Sequence, residues 1–331
     1  MNVFSGLGSM DVIAALAEAV REVEQELVVL CRSEVAVAEK VGIHTLQGGG
    51  KRLRPAFIAL AAEATGLPFE KKRVVRLGAC MEMIHMATLI HDDVIDNSPL
   101  RRGKPTASAV FGPTESILAG DGLLAKAMVV LAEDGDLSII RQVAGSVVEM
   151  AEGEVLELET RNRFDLTEEE HLKVLRMKTA AFIESCSVVG GKVAGAPPEI
   201  ENALRTYGHN VGMAFQIVDD LLDYHGAEDQ TGKARAVDFR EGCATLPLIY
   251  LRPMLSDEER DVARLKFGNG VMDDELAMIG QWMRSRGASD QARAKAQSFV
   301  ETAISALKVL PNNKARNLME RLARFVVNRE G

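Results

Sequence analysis

The chain has 331 residues, of which 47% are hydrophobic and 26% charged, a globular composition that argues against a disordered protein. Aromatic residues make up only 5%, and no apolar run reaches the roughly 18 residues of a membrane-spanning helix, which argues against an all-β fold and a transmembrane protein. A formal net charge of −9 predicts that the protein does not bind nucleic acid. The four scattered cysteines and the lack of a secretory signal pattern predict a cytoplasmic protein.

Apolar residues recur at spacings of three and four along most of the chain, which predicts an all-α protein. No Ser/Pro-rich linker interrupts this pattern, so we expect a single domain over residues 1–331. Several helices are apolar on more than one face, as in a large helical bundle. The predicted helices cover residues 10–40, 55–66, 72–96, 114–133, 137–161, 168–195, 199–225, 243–254, 257–265, 273–286, 289–309 and 312–329.

Two acidic motifs of the form DDxxD, at residues 92–96 and 219–223, interrupt strongly apolar helical segments. Positions four apart on a helix project from the same side, so Asp92 and Asp96 share one face. Three carboxylates in such a setting repel one another and are costly to desolvate unless a cation neutralises them. Oxygen ligands without paired Cys or His favour Mg²⁺, which completes its coordination with water and phosphate oxygens. One motif alone could be a solvated helix end, whereas its repetition favours metal binding.

Basic segments flank both acidic motifs. The sequence GGGKRLRP at residues 48–55 is a glycine turn leading into a helix start, where backbone N–H groups and cations suit a diphosphate. The other flanking cations are Arg101, Arg102, Lys104, Lys178 and Lys233. Each of these cations alone could be a solvated surface charge, but their alternation with the acidic motifs favours a magnesium–diphosphate site.

His85 is a polar residue in the apolar run before the first acidic motif. A helical wheel places it between Asp92 and Asp96 in direction, two turns earlier. We therefore expect His85 to face the same cavity as these carboxylates, and an ordinary core histidine is the alternative.

These segments resemble the trans-polyprenyl diphosphate synthase family over nearly the whole chain. The matching landmarks, in order, are GGGKRLRP, LIHDDVIDNSPLRRGKPT, the Gly120-Asp121 pair, MKTAAF, GMAFQIVDDLLDY and EGCATLPLIY. The resemblance implies a helical bundle around a deep central cavity, usually a homodimer. It also implies an Mg²⁺-dependent, head-to-tail condensation of isopentenyl diphosphate onto an allylic diphosphate.

The resemblance further implies roles for individual residues. Isopentenyl diphosphate would be bound by Lys51, Arg54, His85 and Arg102. The allylic diphosphate would be bound by Arg101, Lys178, Thr179, Gln216 and Lys233. Magnesium would be bound by Asp92, Asp96, Asp219 and Asp223, and the residues expected to serve in catalysis are Asp92, Asp96, Arg101, Lys178 and Asp219.

This chemistry suits the residue types. Cations that neutralise the departing diphosphate favour ionisation of the allylic C–O bond to a carbocation. The double bond of isopentenyl diphosphate then attacks that carbon, and a proton is lost, so no side-chain nucleophile is needed. Apolar helices would exclude water and receive the growing chain, which could afterwards pass to a membrane.

Two positions depart from the family pattern. The segment after the second acidic motif has Ala236 in place of the usual glycine, and Cys243 replaces the lysine of an EGK segment. One cation near the allylic diphosphate is therefore missing. Arg235 or Arg240 could compensate for it.

The residues before the first acidic motif predict the product length. Short-chain members carry either two extra residues inside this motif or a bulky aromatic residue four or five positions before it. This chain has a plain DDxxD motif preceded by Ala87 and Thr88, which predicts a long-chain product of seven or more isoprene units. The alternatives are a short-chain farnesyl or geranylgeranyl diphosphate synthase, a non-catalytic partner subunit of a heteromeric synthase, and a terpene cyclase.

Overall fold

The computed structural model describes residues 10–225 and 236–328, and within these ranges the chain is mainly α-helical. The sheet in the described part is a two-stranded antiparallel hairpin of β1 Leu100–Arg101 and β2 Lys104–Pro105. The prediction of an all-α fold is confirmed. No helix within these ranges is both long enough and apolar enough to cross a lipid bilayer.

The chain divides into two compact units, and each unit combines segments that are distant in sequence. The first unit comprises Met1–Gln142, Cys186–Leu204 and Val309–Met319. The second unit comprises Val143–Ser185, Arg205–Lys308 and Glu320–Gly331. The single domain over residues 1–331 and its central cavity stay predictions.

The first unit is built around one long helix that is apolar on several faces. Its first six helices are α1 Met10–Cys31, α2 Ala36–Gln47, α3 Leu53–Ala64, α4 Lys71–Ile95, α5 Ala107–Phe111 and α6 Pro113–Asp134. The long helix α4 packs against α1, α3 and α6. Gly78 permits this close packing, since a Cβ there would lie 3.2 Å from Val23 Cγ2 and 3.3 Å from Pro55 Cβ. Three neighbouring helices of the first unit therefore hold α4 in place.

The remaining helices carry the second acidic motif and an aromatic core. They are α7 Leu137–Thr160, α8 Glu168–Leu175, α9 Ala181–Val193, α10 Pro198–His225, α11 Val237–Arg240, α12 Leu246–Leu251, α13 Asp257–Lys266, α14 Asp273–Ser285, α15 Ala288–Ala306 and α16 Lys314–Val327. A π-helical turn at Arg176–Ala180 separates α8 from α9. In the second unit, the rings of Phe164 and Phe239 pack edge-on against Phe267 at centroid distances of 5.6 and 5.3 Å.

Some helix boundaries differ from the predicted ones. The segment 10–40 forms two helices, because the Ser33 hydroxyl accepts a hydrogen bond from Val35 N and the Ser33 N–H donates to Glu39. Such local bonds offer the backbone an alternative to a continuous helix. The predicted helix over 168–195 contains the π-helical turn, and the short α5 has no counterpart among the predicted helices.

Candidate active site

The first acidic motif ends α4, and its three aspartates have different surroundings. Asp93, the middle aspartate, is 6% exposed, and its Oδ1 accepts a hydrogen bond of 2.7 Å from Arg101 Nε. Burial raises the pKa of Asp93, and the guanidinium opposes this shift. Asp92 is half-buried and Asp96 is exposed. The middle carboxylate therefore positions Arg101, whereas solvent reaches the two outer carboxylates, one helical turn apart.

The two basic segments of the first unit lie against each other. Arg102 donates a hydrogen bond to the Gly49 carbonyl, and Lys104 Nζ donates one of 2.9 Å to the Gln47 carbonyl. These contacts join the hairpin that follows the first acidic motif to the glycine-rich turn. Lys51, in that turn, is exposed. The fold thus gathers cations from two separate segments into one region.

Arg54 on α3 and His85 on α4 belong to the same basic region. Burial lowers the pKa of Arg54, and the carboxylate of Glu82 opposes this shift. The pKa of His85 lies well below its ordinary value because of burial and, next, the guanidiniums of Arg54 and Arg102. His85 is therefore a neutral imidazole at physiological pH. A region with this excess of positive charge suits a phosphate-bearing anion.

Arg52 and Glu82 also belong to this region, although the sequence pattern does not single them out. Arg52 is 6% exposed with a positive φ of 47°, and it donates to Glu82 Oε1 at 2.9 Å and to the Leu46 carbonyl at 2.8 Å. Its Nε lies 3.1 Å from Glu24. This buried ion pair holds the turn that carries Lys51. The sequence feature that could have indicated this pair is Glu82 itself, a glutamate inside the apolar run MEMIHMATLI.

The second acidic motif, on α10, has a similar arrangement. Its middle aspartate, Asp220, is 5% exposed and accepts hydrogen bonds of 3.2 Å from Gln216 Nε2 and His171 Nε2. Gln216 Oε1 in turn accepts a hydrogen bond of 3.1 Å from Thr179 Oγ1. The fold therefore brings Thr179 and Gln216 together around one buried carboxylate.

The outer aspartates of this motif, Asp219 and Asp223, are half-buried. Asp223 Oδ2 accepts a hydrogen bond of 3.0 Å from the backbone N–H of Asp238, at the start of α11. Burial and then the carboxylates of the second motif raise the pKa of Asp238 well above its ordinary value. Lys233, a predicted ligand of the allylic diphosphate, lies outside the described residues.

Lys178 lies in the π-helical turn and contacts two glutamates of α7. Its Nζ is 2.8 Å from Glu157 and 3.0 Å from Glu154. Burial acts to lower the pKa of Lys178, but the two carboxylates outweigh it and raise the pKa above its ordinary value. Gly153 permits this contact, because a Cβ there would lie 2.6 Å from the Lys178 backbone nitrogen. The predicted Lys178 is thus a permanent cation, held by two glutamates that sequence patterns do not reveal.

Cys243 occupies the position where the resemblance predicts a lysine. Burial and then the carboxylate of Glu157 raise the pKa of its thiol to about 12, so it is neutral at physiological pH. Arg240, one expected replacement, donates hydrogen bonds to Asp273 and to a carbonyl just before α14. Arg235, the other, lies outside the described residues. Arg240 therefore has partners of its own in the second unit.

The two positions that bear on product length differ in exposure. Ala87 is 2% exposed, inside the packing of α4. Thr88 is half-buried, and its hydroxyl donates a hydrogen bond of 2.9 Å to the His85 carbonyl. Farther along α4, His91 Nε2 lies 3.3 Å from Asp121 Oδ1, beside Gly120. No bulky side chain stands at either position before the first acidic motif.

Comparisons with known proteins agree with these features. Among solved structures, a decaprenyl diphosphate synthase from Rhodobacter capsulatus is similar with a TM-score of 0.90 and 37% identity, over 96% of this chain and 98% of that chain. A polyprenyl synthase from Caulobacter crescentus CB15, complexed with calcium and isoprenyl diphosphate, also has a TM-score of 0.90, with 34% identity over 98% and 99% of the two chains.

A curated relative and a family model extend this similarity to the sequence. The octaprenyl diphosphate synthase of Escherichia coli (strain K12) is 38% identical over 298 residues, which is 90% of this chain and 92% of that protein. The model of the polyprenyl synthetase family matches residues 35–277. This match covers both acidic motifs and every basic segment described above. The chain therefore belongs to the polyprenyl synthetase family, whose members are prenyltransferases that elongate isoprenyl diphosphates.

Proposed function

We propose that this prenyltransferase is a long-chain trans-polyprenyl diphosphate synthase, which condenses isopentenyl diphosphate head to tail onto an allylic diphosphate. The single observation that carries the proposal is the shared design of the two acidic motifs. In each motif the middle aspartate is buried and engaged by a polar partner, Arg101 for one and Gln216 for the other. The outer aspartates of both motifs are more exposed than the middle ones.

The basic region of the first unit supports an isopentenyl diphosphate site. Lys51, Arg54 and Arg102 supply positive charge there, and His85 supplies a neutral imidazole that can donate one hydrogen bond. A diphosphate carries several acceptor oxygens, and charge-assisted hydrogen bonds from guanidinium groups are the strong ones. These residues bind the diphosphate of the non-ionising substrate and orient it.

The second unit supports an allylic diphosphate site. Lys178 stays protonated and can stabilise charge on the departing diphosphate, while Thr179 and Gln216 can hydrogen-bond its oxygens. Two roles rest on resemblance alone: binding of this diphosphate by Arg101 and by Lys233.

The donor set fits Mg²⁺, a hard cation that binds carboxylate oxygens and keeps water or phosphate ligands. In the described residues, no three carboxylate, imidazole or thiol groups are arranged to hold a metal ion by themselves. The proposed protein ligands are Asp92, Asp96, Asp219 and Asp223. When bound, the metal supplies Lewis-acid stabilisation of the diphosphate leaving group.

Two further properties belong to the proposal. A long product is supported by the small side chains at Ala87 and Thr88, and by the octaprenyl and decaprenyl names of the relatives. A homodimer is supported by exposed apolar side chains along α6, which are Ile117, Leu118, Met128 and Val129. The cytoplasmic location stays a prediction.

Product analysis of the purified full chain tests this function. The protein is incubated with labelled isopentenyl diphosphate, Mg²⁺, and geranyl, farnesyl or geranylgeranyl diphosphate in turn, and the dephosphorylated products are sized. We expect Mg²⁺-dependent incorporation into chains of seven or more isoprene units. A product of three or four units would identify a short-chain synthase, and a cyclised hydrocarbon formed without isopentenyl diphosphate would identify a terpene cyclase. No incorporation with any primer would contradict the proposal.

A further inference from the structure

Two glutamates of α7 and the arginine that follows the helix recur at helical spacing. Glu154, Glu157 and Arg161 follow one another at spacings of three and four residues, which places them on the same side at the end of the helix and just beyond it. The two glutamates hold Lys178 at 3.0 and 2.8 Å. Arg161 therefore continues, one turn farther on, the face that positions the allylic-site lysine.

Backbone contacts fix Arg161 beside Cys243. The next residue, Asn162, donates its backbone N–H to the Gly242 carbonyl at 2.8 Å. Gly242 has a φ of 75°, and a Cβ on it would lie 2.2 Å from Asn162 Oδ1, so only glycine permits this approach. A guanidinium nitrogen of Arg161 is 3.9 Å from Glu241 Oε2. The bond between Asn162 and Gly242 therefore brings the residues next to them in sequence, Arg161 and Cys243, close together.

The surroundings of Cys243 are rich in negative charge. The carboxylates of Glu157, Asp238 and Glu241 all act on its thiol, and the guanidinium of Arg161 acts in the opposite direction. A neutral thiol supplies no charge to balance these carboxylates. In this part of the second unit, Arg161 provides positive charge at the place where the family resemblance predicts a lysine side chain.

We propose that Arg161 sets the affinity for the allylic substrate, by supplying beside Cys243 the positive charge that a lysine at position 243 would otherwise carry. The inference rests on the proposed function, because it assigns Lys178 and its neighbours to the allylic diphosphate. Arg161 offsets the negative charge of Glu157, Asp238 and Glu241, so that an anionic diphosphate is attracted rather than repelled. Arg161 replaces the missing cation from a different segment of the chain, the turn that follows α7.

Steady-state kinetics of charge-swap variants test this assignment. Arg161→Met is expected to raise KM for the allylic diphosphate about tenfold, the effect of losing one charge-assisted contact. KM for isopentenyl diphosphate should stay within about twofold, since its site lies on other residues. Adding Cys243→Lys to Arg161→Met should restore the allylic KM, and Arg161→Lys should resemble the wild type. Arg163→Met, which removes the same charge two residues away, is the matched control.

The outcomes separate this inference from the proposed function. An allylic KM within twofold of the wild type in Arg161→Met would overturn the inference, as would failure of Cys243→Lys to restore it. Thermal melting of each variant identifies loss of fold, and Arg161→Gln, which also removes the charge but keeps a polar side chain, then carries the comparison with the same expected tenfold rise. If the wild type incorporates no isopentenyl diphosphate, the proposed function fails instead, whatever the variants do.

Discussion

The aspartates of each acidic motif are chemically identical, yet their surroundings divide them into two kinds. Asp93 and Asp220 are buried and hydrogen-bonded to protein partners, which leaves little of their carboxylates for a metal ion. Asp92 and Asp96 lie nearer the surface at the end of α4. Under the proposed function, the DDxxD spacing therefore combines outer residues that bind a cation with a middle residue that positions a basic or amide side chain.

Substitution of single aspartates distinguishes these two functions. Asp92→Ala is expected to abolish Mg²⁺-dependent condensation, because a carboxylate ligand is lost. Asp93→Asn should leave measurable turnover but lower the free energy of unfolding by about 1–2 kcal/mol, since a neutral amide replaces the carboxylate that accepts the hydrogen bond of the Arg101 guanidinium. The measurements are turnover against Mg²⁺ concentration and urea unfolding. Near-normal turnover in Asp92→Ala would remove the first motif from the mechanism.

The contribution of the buried Glu82 carboxylate to stability depends on its ion pair with Arg52. Glu82→Gln is expected to lower the free energy of unfolding by about 2–4 kcal/mol, because the buried Arg52 guanidinium loses its 2.9 Å partner. Glu24→Gln, which alters the half-exposed partner of the same arginine, should cost less than about 1 kcal/mol. Urea unfolding of both variants gives the comparison. Equal costs would show that burial does not govern this ion pair.

At the scale of helices, the apolar periodicity predicts which segments are helical better than it predicts irregular turns and contacts between helices. The helices that carry the acidic motifs end close to the predicted residues, because apolar spacing and the motifs lie in one continuous segment. The π-helical turn that presents Lys178 is not predictable in this way, since it depends on the approach of α7 at Gly153. Likewise, the bond between His171 and Asp220 joins residues 49 apart in sequence and follows from tertiary packing.

Substitutions at two glycines of α7 test whether the close approach of this helix to Lys178 matters. Gly153→Ala would place a Cβ 2.6 Å from the Lys178 backbone nitrogen, so overpacking should cost about 1–3 kcal/mol of unfolding free energy. It should also raise KM for the allylic diphosphate, because Lys178 moves relative to its glutamates. Gly145→Ala, in the same helix with no atom within 4 Å, should instead gain about 0.5–1 kcal/mol. Equal stability of the two variants would contradict this account.

The capping box at the start of α8 should stabilise the protein in a pH-dependent way. The backbone N–H of Thr167, then Arg163 and the Thr167 hydroxyl, lower the pKa of Glu170 from 4.5 to about 2. Its stabilisation is therefore complete above pH 4.5 and is lost as the pH falls through 2. Glu170→Gln should lower Tm at pH 7, and its difference from the wild type should shrink below pH 4.5.

Thermal melting between neutral pH and about pH 3 checks this dependence. The control is Glu169→Gln, on the same turn but outside the capping box with Thr167. A Tm difference for Glu170→Gln that stays constant over the whole range would show that the cap does not depend on the carboxylate charge.

For the whole molecule, fold class and family are readable from the sequence because both depend on the order of segments along the chain. The division into two compact units is not, since each unit joins distant segments. Asn313, for example, donates a hydrogen bond of 3.1 Å to the Ala64 carbonyl, across 249 residues. The same reason explains why Lys178 was predictable from the sequence, whereas Glu154 and Glu157, which hold it, and the buried pair of Arg52 and Glu82 were not.

Product length is a property of the whole enzyme, and substitutions at two neighbouring positions of α4 test what limits it. Ala87 is 2% exposed, so Ala87→Phe should cost about 1–3 kcal/mol of unfolding free energy by overpacking, in addition to any effect on the product. Thr88 is half-buried and can accept a larger ring at lower cost. We therefore expect Thr88→Phe to shorten the product while Tm stays near that of the wild type, and the double variant to shorten it further. Thr88→Val keeps the side-chain size and is the control. Products of unchanged length from the double variant would exclude these positions as the floor that stops elongation.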